Sequence, residues 1–83
     1  MNASDAGVIR PGSTRGVVKS YNPNRSPFGG YITDERSGKD VFVHKSAVEA
    51  SKLGAVQAGS KLEFEIVEDG FGGFRAQNLR AVT

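Results

Sequence analysis

The chain has 83 residues, which leaves room for one domain with one small hydrophobic core. It contains no cysteine, which excludes disulfides, thiolate metal sites and thiol nucleophiles and suits a reducing compartment. Eleven lysines and arginines against nine aspartates and glutamates give a net charge of +2, which tolerates a polyanionic partner and fits an ordinary mixed-charge surface equally well.

The beginning of the chain carries no pattern of a folded element. Residues 1–13 are small, polar and without periodicity, and we expect them to form a flexible tail before a domain at residues 14–83. Arg10 could add a phosphate contact, although a tail without a binding role is the favoured interpretation. No apolar run approaches the ~20 residues of a membrane helix, and no apolar signal segment is present. We therefore expect a soluble, cytoplasmic protein.

The first half of the domain reads as three short strands. Residues 14–22 are β-branched and aromatic and predict the first strand, which Pro23 and Pro27 separate from the next. Residues 28–34 predict the second strand, where the pair Gly29-Gly30 indicates a bulge or a close approach of another backbone or ligand. Residues 35–39 predict a hairpin loop, and residues 40–44 the third strand.

The second half predicts one helical turn and two more strands. Ser46 is predicted to cap the turn, with Glu49 completing a capping box. A loop follows over residues 51–60, with Leu53 or Val56 as its apolar anchor. Apolar and charged residues alternate over residues 61–68, Asp69-Gly70 predicts a hairpin, and residues 74–82 predict the last strand. The sequence thus predicts an all-β fold, a closed five-stranded barrel without exposed edges.

The residues argue against catalysis. The single histidine and the scattered carboxylates pair no nucleophile with a base at a diagnostic spacing. One histidine is too few for a histidine metal site, and the acidic residues lack the spacing of a calcium loop. We therefore expect neither an enzyme nor a cofactor, a metal or a small-molecule substrate.

Aromatic side chains on the outer face of the predicted barrel are more informative. Alternation sends Ile32, Val41 and Val43 inward and sends Tyr31, Phe42 and His44 outward. Exposed rings on adjacent strands can stack on unpaired bases, with lysine and arginine tracking the phosphates. They can equally pack under a loop or against one another, and alternation does not decide between these readings.

Several short motifs occur in the same order and at a similar spacing as in one known protein family. The segment VFVH at residues 41–44, followed by SAV at 46–48, resembles the second nucleic-acid-binding motif of cold-shock domains, usually VFVHFSAI. GVVKSYN at 16–22 resembles that family's first strand, GxVKWFN, and GYIT at 30–33 resembles the end of its first motif, KGFGFIT. Asp40, Gly59 and AQNL at 76–79 also match, so the resemblance covers residues 14–83.

The resemblance implies a five-stranded antiparallel barrel of the oligonucleotide-binding type that binds single-stranded RNA or DNA. The family includes RNA chaperones and transcription antiterminators. The match implies that Lys19 contacts a phosphate or a base edge. It also implies base stacking by four aromatic side chains, namely Tyr21, Tyr31, Phe42 and His44.

The sequence departs from the family pattern at several aromatic positions. Ser20 stands in place of a surface tryptophan, Lys45 in place of the aromatic after VFVH, and Leu53 in place of a loop aromatic. The segment that matches the family's first motif is also longer than that motif. Phe28 therefore takes the first aromatic position of the motif only if Gly29-Gly30 forms a bulge. Otherwise Gly29 takes that place, and the binding surface loses a ring.

Other residues could partly compensate for the missing rings. Lys45 and Lys52 can contact phosphates, and Phe71 is either a replacement platform or an idle exposed ring. We expect a monomer that binds single-stranded RNA or DNA and acts as an RNA chaperone or a regulator of transcription or translation. The main competing hypothesis is a barrel whose nucleic-acid surface is eroded and whose partner is a protein. Double-stranded nucleic acid is a lesser alternative.

Overall fold

The computed structural model of the chain describes residues 8–54 and 56–82 and consists of five strands and one short helix. The strands close into a barrel in the order β1-β2-β3-β5-β4, which confirms the predicted all-β fold. Four of the pairings are antiparallel, and β3 and β5 pair in parallel through Phe42 and Arg75. The elements are β1 (Gly12–Asn22), β2 (Gly29–Asp34), β3 (Asp40–His44), α1 (Lys45–Ala50), β4 (Lys61–Glu68) and β5 (Phe74–Ala81).

Two strand boundaries differ from the predicted ones. β1 already begins at Gly12, because Gly12 and Ser13 pair with β4, so the last residues of the predicted tail belong to the barrel. Residues 1–7 of that tail lie outside the described part of the chain. β2 begins only at Gly29, since Phe28 has a φ of 61°, which a strand cannot accommodate.

The inner sides of all five strands form the core. The predicted inward positions of β2 and β3 are confirmed, and both predicted loop anchors, Leu53 and Val56, pack against the core. No helix in the described part of the chain is long and apolar enough to cross a membrane. The buried apolar side chains are Val18, Ile32, Val41, Val43, Val48, Leu62, Phe64, Ile66, Ala76 and Leu79.

The cap of α1 differs from the prediction. His44, the last residue of β3, is the N-cap, and its Nδ1 accepts a hydrogen bond of 3.1 Å from the Ser46 amide. The capping box of Ser46 and Glu49 is therefore wrong, because β3 leads directly into the helix and Ser46 already lies inside it. This bond holds the His44 imidazole with its Nδ1 lone pair toward the helix.

Gly29 and Gly30 allow the backbones of β1, β2 and β3 to approach closely. A Cβ atom at Gly29 would overlap the Val43 carbonyl oxygen, and one at Gly30 would overlap the Ser20 carbonyl oxygen. The predicted close approach is thus confirmed. The register irregularity of this region lies instead in β1, between Val18 and Ser20.

Candidate nucleic-acid interface

Three aromatic side chains form a continuous cluster on the outside of β2 and β3. The ring centroids of Tyr31 and Phe42, which pair across the two strands, are 5.7 Å apart with 66° between the planes. The centroids of Phe42 and His44 are 6.3 Å apart with 64° between the planes. Tyr31 is 42% exposed, whereas the other two rings are half-buried. We call Tyr31, Phe42 and His44 the ring surface, and Phe42 is its centre.

Tyr21 does not join the ring surface. The irregularity at Lys19 exchanges the two sides of β1, so that Ser20 pairs with Tyr31 outside and Tyr21 pairs with Gly30 on the core side. Tyr21 packs against the core, and burial, together with the negative charge of Glu49, raises the pKa of its phenol. The side chain next to Tyr31 on β1 is therefore the small hydroxyl of Ser20.

Phe28 lies at the edge of the site rather than in the strand. Gly29 pairs in register with Asn22 and His44, so no bulge lets Phe28 take a place on β2. The Phe28 ring is still exposed, and the Lys45 Nζ atom lies 5.4 Å from its centroid. The Lys45 amide also donates a hydrogen bond of 2.8 Å to the Phe28 carbonyl oxygen. Phe28 and Lys45 thus form a pair directly beyond His44, with the ammonium over one face of the ring.

Lys19 lies beside the opposite end of β3. Its Nζ atom is 3.0 Å from Asp40 Oδ2, and Thr33 donates a hydrogen bond of 2.9 Å to the other oxygen of Asp40. The hydrogen bonds from Lys19 and Thr33 lower the pKa of the Asp40 carboxyl. Because the Lys19 side chain is 65% exposed, this ion pair is weak and leaves the ammonium available to another anion.

Arg75 is a neighbour of the ring surface that sequence reasoning missed. It is the parallel partner of Phe42, is exposed, and lines a groove together with His44 and Gln77. Only closure of the barrel brings β5 beside β3, so no local pattern could have indicated this contact. Among the described residues, no three histidine, aspartate or glutamate side chains converge on a position for a metal ion.

Electrostatics distinguish this face from the sheet formed by β1, β4 and β5. There, Glu63 binds two arginines, with 3.0 Å from Oε2 to Arg15 Nε and 3.0 Å from Oε1 to Arg80 Nη2. On the side of the ring surface, the Lys45 ammonium lies over the Phe28 ring and Arg75 pairs with Phe42, while Lys19 is paired with Asp40 at the border. The structure thus brings five of the seven predicted site residues to one region, namely Phe28, Tyr31, Phe42, His44 and Lys45, with Lys19 at its border and Tyr21 outside it.

Known proteins match the sequence over most of its length. The family model of the 'Cold-shock' DNA-binding domain matches residues 14–82. The cold shock-like protein CspA of Rickettsia bellii is 45% identical over 65 residues, which cover 78% of this chain and 89% of the relative. The corresponding protein of Stigmatella aurantiaca is 39% identical over 67 residues, covering 81% and 94%.

A third relative extends over still more of the chain. The cold shock-like protein of Aquifex aeolicus is 39% identical over 70 residues, which cover 84% of this chain and 96% of that protein. The region that the family model matches includes all of the barrel except Gly12 and Ser13. The chain therefore belongs to the cold-shock domain family, whose members bind nucleic acid and are not enzymes.

Proposed function

We propose that this protein binds single-stranded RNA or DNA by stacking unpaired bases on the ring surface. The strongest support is that Tyr31, Phe42 and His44 contact one another on one outer face of the barrel, with cations nearby. A stacked base contributes roughly 1–3 kcal/mol to binding, and every base offers such a face. We infer that a monomer is sufficient for binding, because all three rings come from the same barrel. We also infer a cytoplasmic protein, because a sequence without cysteine suits a reducing compartment.

The geometry favours an open strand over a duplex. Bases in a duplex already stack on each other and cannot lie flat on protein rings, whereas an unpaired base can. A protein that binds the open strand preferentially shifts weak hairpins toward the open state by mass action. The protein can therefore act as an RNA chaperone without hydrolysing a nucleotide.

The lost aromatic positions change the balance between stacking and charge. Ser20 offers no ring beside Tyr31, and Lys45 offers an ammonium beyond His44. Fewer rings mean weaker stacking, and each additional phosphate contact makes binding more dependent on salt. We therefore expect modest affinity, with log Kd rising against log salt by about 0.7 for each phosphate that is contacted.

Truncation of the central ring tests the proposal. Phe42→Ala removes the ring that contacts both Tyr31 and His44, and we expect binding of a pyrimidine-rich single strand to weaken by about 10- to 100-fold. Fluorescence anisotropy of a labelled oligonucleotide at two salt concentrations measures this change. The label belongs on the oligonucleotide, because the protein contains no tryptophan.

A matched control separates stacking from the loss of any exposed apolar group. Val17 is also exposed on β1 but pairs with Thr33 and Lys61 rather than with a ring, so Val17→Ala should bind like the wild type. Equal binding by Phe42→Ala and the wild type would contradict the stacking proposal. Failure of the wild type to bind single strands or duplex at low salt would direct the search to a protein partner.

A further inference from the structure

The hairpin between β4 and β5 displays a single aromatic ring. Phe71 at its tip is 95% exposed, the most exposed large apolar side chain among the described residues. Asp69 Oδ1 accepts hydrogen bonds from the Phe71 amide at 2.7 Å and from the Gly73 amide at 3.1 Å. The Asp69 amide in turn donates to the Gly73 carbonyl oxygen at 3.1 Å. These bonds order the backbone of the tip, so binding a ligand there costs little additional backbone entropy.

The strand topology puts this hairpin near one end of β3, the strand that carries Phe42 and His44. β3 runs from Asp40 to His44, and its parallel pairing with β5 puts the start of β5 at the Asp40 end. The hairpin therefore lies beyond the Asp40 end of β3, whereas His44 lies at the opposite end. Phe71 precedes Arg75, the neighbour of Phe42, by four residues, and four residues span at most about 14 Å.

Three cations lie along this path and can contact phosphates. Arg75 and Lys39 are exposed there, and Lys19 lies beside the same end of β3. Of the acidic groups nearby, Asp40 accepts hydrogen bonds from Lys19 and Thr33, and Asp69 accepts the loop amides. The loop amides also lower the pKa of the Asp69 carboxyl. The negative charges of Glu68 and Asp69 both oppose a phosphate directly at the hairpin, so contact at the tip itself has to come from the ring.

We propose that Phe71 is a further base-stacking position for the same nucleic-acid strand that occupies the ring surface. The strand runs along β3 from His44 over Phe42, Arg75 contacts a phosphate, and an unpaired base beyond it stacks on Phe71. This inference rests on the proposed function. It adds a ring at the far end of the site and makes the protein prefer longer strands over those that cover only the ring surface.

Oligonucleotides of two lengths distinguish binding at the ring surface alone from binding that also reaches Phe71. We would titrate labelled oligothymidylates of about four and about nine nucleotides, both within the range of site sizes of such barrels. Phe71→Ala should weaken binding of the longer strand by about 5- to 100-fold and leave the shorter strand unchanged. Phe71→Tyr keeps an aromatic face and should bind like the wild type, whereas Phe71→Leu keeps apolar volume without a ring and should bind like Phe71→Ala.

The outcomes distinguish this inference from the proposed function. If Phe42→Ala weakens binding of both lengths and Phe71→Ala weakens neither, the hairpin is not part of the site although the ring surface is. Equal weakening of both lengths by Phe71→Ala would overturn the extended placement, and wild-type affinity of Phe71→Leu would overturn stacking. If the wild type binds neither strand, the proposed function fails and this inference fails with it. Thermal unfolding by circular dichroism checks that each variant keeps the fold.

Discussion

Replacing Gly30 by alanine is expected to lower the free energy of unfolding by more than about 4 kcal/mol, the range of the most damaging single substitutions. The added Cβ would overlap the carbonyl oxygen of Ser20 and lie 2.7 Å from the Tyr21 Cα atom. Both are backbone atoms of β1, so no side-chain movement relieves the overlap, and β1 and β2 have to separate. A domain of this size has a total stability of roughly 4–12 kcal/mol, so the variant should be largely unfolded or close to it.

Gly38→Ala provides a matched control for this prediction. Gly38 has a φ of 74° and no atom within 4 Å of an added Cβ, so alanine there meets backbone strain without overlap, at a cost of about 1–2 kcal/mol. Urea denaturation followed by circular dichroism measures both variants. A loss for Gly30→Ala no larger than that for Gly38→Ala would mean that β1 and β2 separate easily.

The close packing at Gly30 also links the fold to the candidate site. Gly30 precedes Tyr31, and the same strand pairing puts Tyr31 between Ser20 and Phe42. A glycine at this position therefore fixes the distance between β1 and β2 where the ring surface begins. Sequence reasoning recognised the close approach because two adjacent glycines interrupt a strand pattern, which is a local signal.

The barrel and its core could be predicted because alternation along each strand is also local. Ile32, Val41 and Val43 are inside and Tyr31 is outside, as the period of two requires. That period fails at β1, where the irregularity at Lys19 exchanges the two sides and turns Tyr21 toward the core. Neither glycine nor proline marks this irregularity in the sequence, so nothing in β1 indicated it.

Contacts between distant parts of the chain account for the other differences. His44 caps α1 because β3 runs directly into the helix, whereas the serine at the first turn predicts Ser46 as the cap. Arg75 neighbours Phe42 only because the barrel closes between β3 and β5. Both features follow from the path of the backbone in three dimensions, which a pattern along one segment does not encode.

Asp34 is a further residue that sequence reasoning left as an ordinary strand end. It is 1% exposed, and its carboxylate accepts hydrogen bonds from the hydroxyls of Thr14 and Ser37, both at 2.7 Å. The amides of Arg36 and Ser37 donate to it at 3.3 Å and 3.2 Å. The carboxylate thus joins β1 to the β2–β3 loop, and its negative charge is compensated by four donors.

Asp34→Asn is expected to lower the free energy of unfolding by about 2–4 kcal/mol at neutral pH. The substitution replaces one carboxylate oxygen by an NH2 group, which cannot accept the hydrogen bonds that are donated at this position. A matched control is Asp40→Asn, which removes an exposed carboxylate paired with Lys19 and should cost less than about 1 kcal/mol. Urea denaturation at neutral pH measures both variants. Equal losses for the two would mean that the buried network contributes no more than a surface ion pair.

The contribution of Asp34 should also depend on pH in a defined direction. Burial alone would raise the pKa of its carboxyl, but the hydrogen bonds from Thr14, Ser37 and the Arg36 amide together hold that pKa below its usual range. The unfolded chain, where aspartate has a pKa of about 3.9, therefore binds the proton more readily than the folded protein. The stabilisation is complete above that value and is lost as the pH falls through the lower pKa of the folded state.

Stability curves of the wild type and Asp34→Asn between neutral pH and acid should therefore converge below about pH 4, because the variant has no proton to gain at this position. Asp40 and Asp69 also have lowered pKa values, so both proteins lose stability in acid, and only the difference between them reports Asp34. A difference that stays constant into acid would show that the substitution acts through packing. Convergence would show that the stabilisation by Asp34 depends on its ionised carboxylate and on the four hydrogen bonds that this carboxylate accepts.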